Sequence, residues 1–266
     1  MGTLGIIGCG NMGGAIAKSL KRDVFVYDSD LEKARELCEG TNHIQVSDSL
    51  QSLFNSCSTL LIAVKPQILS SLYPQLRFLG SAEKRWISIA AGIPLSVLTR
   101  ELESTEVVRF MPNIAAQLSS SVTAVSPTEE CSKEHRKEAL EVAASFGSAF
   151  LLPESQFSAF IGISGSAIAY VFSFLHGLAM GGVEQGIPYG QALAIANDTL
   201  KSASTLIESS GENPVVLATR VCSAGGTTIE GMQALAQGGF EGLVMQAVNA
   251  ASEKSRMLET RALEKH

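Results

Sequence analysis

The sequence predicts an α/β protein, with an N-terminal doubly wound and mainly parallel sheet over residues 1–152 and an all-helical second domain over residues 153–266. Three observations predict it. Short β-branched runs alternate with helical stretches throughout the first half. Runs such as Leu60-Leu61-Ile62-Ala63-Val64 stay apolar without alternating, as parallel strands covered on both faces do. After Phe150-Leu151-Leu152-Pro153 the strand-like runs stop, and long Ala-, Leu-, Ser- and Gly-rich segments take over.

Strands are expected at Leu4–Ile7, Val24–Tyr27, Thr59–Val64, Trp86–Ala90, Val107–Met111 and Val122–Val125. Between them, Leu31–Glu39 and Ser132–Phe146 have helical periodicity with charge on the outer face and fit crossover helices. In the second domain Pro188 suits the first turn of a helix running to Ser210, with Gly211 just past its end. A further helix follows Glu212-Asn213-Pro214, a loop covers Cys222 to Gly226, and two last helices part near Gly238-Gly239. From Ser155 to Val183 there is no Asp, Glu, Lys or Arg, which a hydropathy window alone reads as membrane-spanning. The stretch lacks flanking basic clusters and an aromatic belt. A helix buried on all sides, within the protein or a subunit interface, has the same composition, so no membrane partner is expected.

Apolar residues make up 45% of the 266-residue chain and charged residues 17%, which excludes intrinsic disorder. A formal charge of −6 argues against a protein that neutralises nucleic-acid phosphates, so a small molecule or a second copy of the chain is the expected partner. The cysteines Cys9, Cys38, Cys57, Cys131 and Cys222 are scattered without a CxxC pair or a nearby histidine, so neither a disulfide framework nor a metal site is expected. No basic segment followed by an apolar stretch stands at the start, and a cytoplasmic location is expected.

Gly8-Cys9-Gly10-Asn11-Met12-Gly13 directly follows the first strand and opens a helix, and Asp28 ends the second strand. Gly8 permits a tight turn, Gly10 lets the backbone approach a pyrophosphate, and Gly13 lets the helix pack on the sheet. The helix start offers unpaired N–H groups to the anion. Together these point to a Rossmann domain that binds a nicotinamide dinucleotide. Asp28 would accept from the adenosine ribose hydroxyls and repel a 2′-phosphate, favouring NADH over NADPH. Alternatively, Asp28 or Asp30 caps the helix that starts at Leu31.

The second domain carries Val221-Cys222-Ser223-Ala224-Gly225-Gly226-Thr227-Thr228-Ile229-Glu230-Gly231, then Leu235 and Gly238-Gly239-Phe240. This segment closely resembles the C-terminal signature of the pyrroline-5-carboxylate reductase family. In the same order, the glycine loop, Ala63-Val64-Lys65-Pro66-Gln67, Ser88-Ile89-Ala90-Ala91-Gly92, Arg109-Phe110-Met111-Pro112-Asn113 and Ser164-Gly165-Ser166 are similar to that family too. The resemblance therefore covers essentially the whole chain. It departs at Ala224, where the family often has Pro, at Ala167-Ile168, where Gly-Pro is common, and at Ile114-Ala115, where Thr-Pro often follows.

The resemblance implies reduction of the cyclic imine 1-pyrroline-5-carboxylate to L-proline by NADH or NADPH, the last step of proline biosynthesis. It also implies a homodimer with interlocking helices, in some members assembled into larger rings. On its own, Thr227 followed by Glu230 is a capping box, which predicts a helix with Thr227 as N-cap and Gly225-Gly226 as the turn into it. Several N–H groups would then converge on one point suited to a carboxylate, and an ordinary capped helix without a ligand is the other reading. With the family, Ser223, Gly225, Gly226, Thr227 and Thr228 become the substrate-binding residues. Thr228 is the expected hydrogen-bond partner of the substrate ring nitrogen, with water or the protonated substrate as proton source.

Lys65 has two readings, a catalytic lysine of a hydroxyacid dehydrogenase or part of a cofactor-contacting turn with Ala63, Val64 and Pro66. The resemblance implies the turn. Asn113 fits a contact to the nicotinamide as well as a plain turn residue. His43 and His135 fall in polar surroundings, His176 falls in the uncharged helix, and Cys9 and Cys222 are explained by packing. Two rival functions remain at this point: a β-hydroxyacid dehydrogenase or imine reductase of the same plan, which leaves Ser223–Thr228 unexplained, and a non-catalytic module that senses NADH.

Overall fold

A computed structural model gives the fold, described for residues 2–265. His266 lies outside the described residues. The chain forms two compact units, one of Met1–Gly165 with Ala251–His266 and one of Ser166–Ala250. The sequence places its boundary at 152/153; by compactness the division falls at Gly165/Ser166, and the C-terminal turns belong to the first unit.

The first unit holds an eight-stranded sheet of order β3-β2-β1-β4-β5-β6-β7-β8. Its strands are β1 (Leu4–Ile7), β2 (Val24–Tyr27), β3 (Ile44–Val46), β4 (Thr59–Ile62), β5 (Arg85–Ser88), β6 (Val107–Met111), β7 (Ser121–Pro127) and β8 (Gly147–Leu151). All neighbours are parallel except β6 and β7, so the expected parallel sheet has one reversal near its edge. Two expected strands end early, at Ile62 and Ser88, because the chain turns there into the loops of the site. Around the sheet run α1 (Asn11–Ser19), α2 (Leu31–Cys38), α3 (Leu50–Ser56), α4 (Pro66–Phe78), α5 (Leu95–Leu102), α6 (Lys133–Ser145) and the short α7 (Phe157–Phe160).

Strand alternation sorts the core onto two faces. Leu4, Ile6 and Leu61 join Ile16, Ala17, Ala34 and Ala139 on one. Ile7, Leu60 and Ile62 join Leu53, Leu69, Leu98 and Ala262 on the other. Helix starts follow local chemistry: the Ser49 and Ser132 hydroxyls accept from Ser52 and His135 amides, and Pro66 occupies the first turn of α4. His135 corrects an expectation. It is fully buried, with Nε2 at 3.0 Å from the Trp86 carbonyl oxygen, and burial holds its pKa below the usual histidine value.

The second unit is helical throughout: α8 (Ala167–Glu184), α9 (Tyr189–Ser210), α10 (Pro214–Val221) and α11 (Thr227–Gln237), with α12 (Phe240–Lys265) running on into the first unit. Gly211, at φ +64°, ends α9 where the sequence places its end. A π-helical turn at Ile161–Gly165 precedes α8. The uncharged stretch is not buried on all sides within this chain. Its most apolar window has a mean hydropathy of 1.7 and is 28% buried, and Phe172 and Met180 are exposed.

Candidate active site

Because β1 pairs with β2 on one side and β4 on the other, successive crossovers leave in opposite directions there, and a crevice opens at the carboxyl ends of β1 and β4. The sequence places the glycine loop after one of these strands and Ala63–Pro66 after the other. Gly8 is left-handed at φ +107°, and a β-carbon on it would stand 2.8 Å from the Ala63 carbonyl oxygen. A β-carbon on Gly13 would stand 2.0 Å from the Gly8 oxygen and 2.9 Å from Ala63 Cβ. Both glycines are therefore dictated by close packing of β1, α1 and the turn after β4. Gly10 differs, with nothing within 4 Å of a β-carbon, and as N-cap of α1 it supplies no side-chain acceptor. The first amides of α1, in Asn11 and Met12 and onward, thus have no side-chain cap and open space beside Gly10, a cradle that suits the phosphates of a pyrophosphate.

Asp28 closes this cradle on the β2 side. Its Oδ2 accepts from the Cys9 amide at 2.8 Å, and its Oδ1 from the Asp30 amide at 3.0 Å. The carboxylate is thereby held at the rim of the glycine loop. Neither acid caps α2 through its side chain in the usual N-cap manner, since Asp30 is the N-cap and makes no such bond. Burial, then the Asp28 charge and Cys38, push the Cys9 thiol up to about 12, so it stays neutral at physiological pH. Beyond β4, Val64 packs within reach of Gly8, its Cγ1 3.0 Å from a β-carbon placed there, and exposed Lys65 is the N-cap of α4.

Asn113 follows β6, at the same carboxyl edge. Its Oδ1 accepts from the Ala115 amide at 3.2 Å, and its Nδ2 donates to Ser164 Oγ at 3.3 Å. The side chain is buried and engaged at both ends within the first unit. As N-cap of the 3₁₀ turn at Ile114–Leu118, Asn113 has the place of the plain turn residue that the sequence offers beside a contact to the nicotinamide.

In the second unit, α10 gives way to a turn in which the Gly226 amide donates to the Ser223 carbonyl oxygen at 3.1 Å. Gly225 is left-handed at φ +66°, and a β-carbon on Gly226 would stand 2.2 Å from Ser223 Oγ. Each glycine has its own reason, backbone conformation for one and the serine hydroxyl for the other. The capping box does not form. Gly226 is the N-cap, Thr227 is the first helical residue, and no side chain caps α11, because the extended Gly226 starts the helix one residue earlier than the Thr-Glu spacing implies. The opening amides of α11 therefore remain available to a ligand, with the half-buried Thr228 beside them.

Arg109 was not singled out by chemistry in the sequence, although a lone arginine inside Val-Val-Arg-Phe-Met signals a buried cation that needs partners. Among the described residues no group of three or more His, Cys, Asp or Glu could hold a metal ion.

A doubly wound sheet with a glycine loop opening its first helix, an acid at the rim of that loop and a separate helical unit defines the class: an NAD(P)-dependent oxidoreductase with a Rossmann domain. A model described as "NADP oxidoreductase coenzyme F420-dependent" matches residues 3–92, the span that carries the cradle, Asp28 and Ala63–Pro66. A model described as "Pyrroline-5-carboxylate reductase dimerisation" matches residues 154–258. The chain is 36% identical to the pyrroline-5-carboxylate reductase of Methanosarcina acetivorans over 96% of this chain and 97% of that one. Among solved structures it resembles the 1-pyrroline-5-carboxylate reductase of Streptococcus pyogenes, at TM-score 0.84 and 30% identity over 96% of this chain and 98% of the other. It also resembles the Plasmodium falciparum pyrroline carboxylate reductase solved with NADP bound, at TM-score 0.82 and 25% identity over 97% and 98%. The chain belongs to the pyrroline-5-carboxylate reductase family, and the apolar stretch beginning at Ser155 lies in its dimerisation domain.

Proposed function

We propose that this chain reduces 1-pyrroline-5-carboxylate to L-proline, the last step of proline biosynthesis, in the cytoplasm, as a homodimer and with NADH as the preferred donor. The observation that carries the reading is the pairing of an uncapped, open α1 cradle with a second uncapped helix start at Gly226-Thr227, one suited to a pyrophosphate and the other to a small carboxylate. A hydroxyacid dehydrogenase or an NADH sensor leaves the Ser223–Thr228 turn without a role.

When bound, the dihydronicotinamide supplies a hydride from its C4. The chain's residues provide position and charge. Gly8, Gly10, Asn11, Met12 and Gly13 hold the pyrophosphate, Asp28 takes the adenosine ribose hydroxyls, and Ala63, Val64, Lys65 and Pro66 line the other side. Ser223, Gly225, Gly226, Thr227 and Thr228 hold the substrate carboxylate and ring. The protonated imine accepts hydride at the carbon next to nitrogen, giving the amine of proline, and one proton is taken from solvent with each turnover. Thr228 orients that nitrogen through a hydrogen bond; its hydroxyl is too weak an acid to be the proton source. Positioning two reactants supplies up to about 7–11 kcal/mol in favourable cases, so no strong acid is required.

The exposed apolar side chains of the helical unit support the homodimer: Phe172 is 64% exposed, Val215 69% and Met245 65%. Rings of dimers are a further assembly that the family resemblance implies. The test follows absorbance at 340 nm with 1-pyrroline-5-carboxylate and NADH, then NADPH. Oxidation with NADH several-fold faster than with NADPH is expected; a folded protein that oxidises neither overturns the reading.

A further inference from the structure

Arg109 is fully buried in the middle of β6, where a guanidinium is tolerated only with charged partners. Both partners come from far along the chain. Nη1 donates to Glu154 Oε1 at 2.6 Å and Nη2 to Glu259 Oε1 at 2.7 Å, while the guanidinium lies 4.9 Å from the Phe157 ring centre. Each carboxylate has a second task. Glu154 Oε1 also accepts from the Leu95 amide at 2.7 Å, the first of α5, whose N-cap Pro94 makes no side-chain cap bond. Glu259 Oε2 lies 3.1 Å from Ser158 Oγ, which in turn lies 3.0 Å from Ser255 Oγ. One buried cation therefore fastens the last turns of α12 and the start of α5 to the same strand.

Beside this clamp runs a groove of about 700 Å³ lined by Pro66, Gln67, Ala91, Gly92, Leu258 and Arg261 among others. The loop after β5 touches α12 there, since a β-carbon on Gly92 would stand 3.6 Å from Leu258 Cβ. Pro66 belongs both to this groove and to the turn assigned to the cofactor. The direction of the dinucleotide follows from the cradle: with the pyrophosphate at α1 and the adenosine ribose at Asp28 on the β2 side, the other half of the molecule extends toward β4 and β5, where the groove lies.

We propose that Arg109 and Glu259 are positioning residues for the dinucleotide, holding the end of α12 as the outer wall of the cleft against its nicotinamide half. The proposal rests on the cofactor site described above. Its test is binding of NADH by calorimetry, together with KM and kcat, in the full-length protein. Glu259→Gln is expected to raise Kd and KM for NADH more than threefold, with kcat at saturation within twofold of wild type. Leu258→Trp changes a 46% exposed groove residue and is expected to raise the same Kd more than threefold by narrowing the groove. The control is Glu138→Gln, which breaks a buried ion pair to Arg22 at 3.1 Å and to Arg85 at 3.4 Å at the amino ends of the strands; it is expected to lower Tm yet leave Kd within threefold. The proposal is overturned if Glu259→Gln and Glu138→Gln shift Kd alike, or if Leu258→Trp leaves it within threefold; should Glu259→Gln not fold, Leu258→Trp decides alone. Failure of the cofactor site itself looks different, because wild-type protein would then not bind NADH.

Discussion

Replacing Asp28 by Asn isolates one charge at the cofactor rim. The asparagine oxygen can still accept from the Cys9 amide, which Asp28 Oδ2 holds at 2.8 Å, so the glycine loop keeps its tie to β2, while the exposed Asp30 amide exchanges its bond to Oδ1 for water. A 2′-phosphate near that carboxylate meets like charge. Two unit charges at 4 Å repel by about 1 kcal/mol in water and about 4 kcal/mol at an effective dielectric of about 20. Asp28 is half-buried, and about 2 kcal/mol is a fair middle value, or about 30-fold in relative affinity. Losing the charge also weakens the ribose hydrogen bonds by about 1 kcal/mol, which lowers NADH use and moves the ratio the same way. Asp28→Asn should therefore raise the kcat/KM ratio of NADPH to NADH by about 30-fold or more, measured at 340 nm with both cofactors in the same buffer. A ratio that stays within threefold of wild type, or a wild type that already uses both equally, refutes the charge argument.

Thr228→Ala should lower kcat/KM for the imine by more than tenfold with NADH affinity unchanged; a loss within threefold removes Thr228 from the reaction. Gly13→Ala puts a β-carbon 2.0 Å from the Gly8 carbonyl oxygen, so the loop must move, and calorimetry should find NADH binding lost before the fold is. Buried His135, with its pKa held down mainly by desolvation, stays neutral in the folded state while the unfolded chain takes up a proton below about pH 6.5. Stability should thus fall as pH drops through that window, by at most about 1.4 kcal/mol per pH unit from this group. Denaturation of His135→Gln from pH 7 to 5 should show a shallower fall, and an equal slope would remove the histidine from the account.

The sheet and the cradle were legible because their signals are local. Val24–Tyr27 and Val107–Met111 stand where expected, and Gly8 and Gly13 of the glycine pattern fall at close backbone approaches that only glycine permits, while Gly10 leaves open space. Missed elements were those with weak local signals. β3 is three residues long, β8 is an edge strand opening on Gly147-Ser148-Ala149, and α4 carries Pro74 inside it. Side-chain commitments over long range were not readable at all. Asn113 bonds to Ser164, and Arg109 draws its counter-charges from Glu154 and Glu259; spacing along the chain carries no trace of either.

The misplacement of Thr227 shows how a correct motif can mislead about a site. Thr-x-x-Glu does mark a helix start, yet a satisfied capping box would have consumed the amides that a substrate carboxylate needs. In the structure the glycine pair takes over the turn, the serine hydroxyl fills the space a β-carbon would occupy, and the threonines fall inside the first helical turn. The same economy operates at α1, where Gly10 stands as an N-cap that caps nothing. Among the described helices α3, α6 and α10 spend a Ser or Asn oxygen on their first amides, while α2, α4 and α9 also start without a side-chain cap. What sets α1 and α11 apart is entry through glycine, which costs only about a few tenths of a kcal/mol against a Ser or Asn cap and leaves the approach to the first amides open, with nothing within 4 Å of a β-carbon on Gly10 or on Gly225.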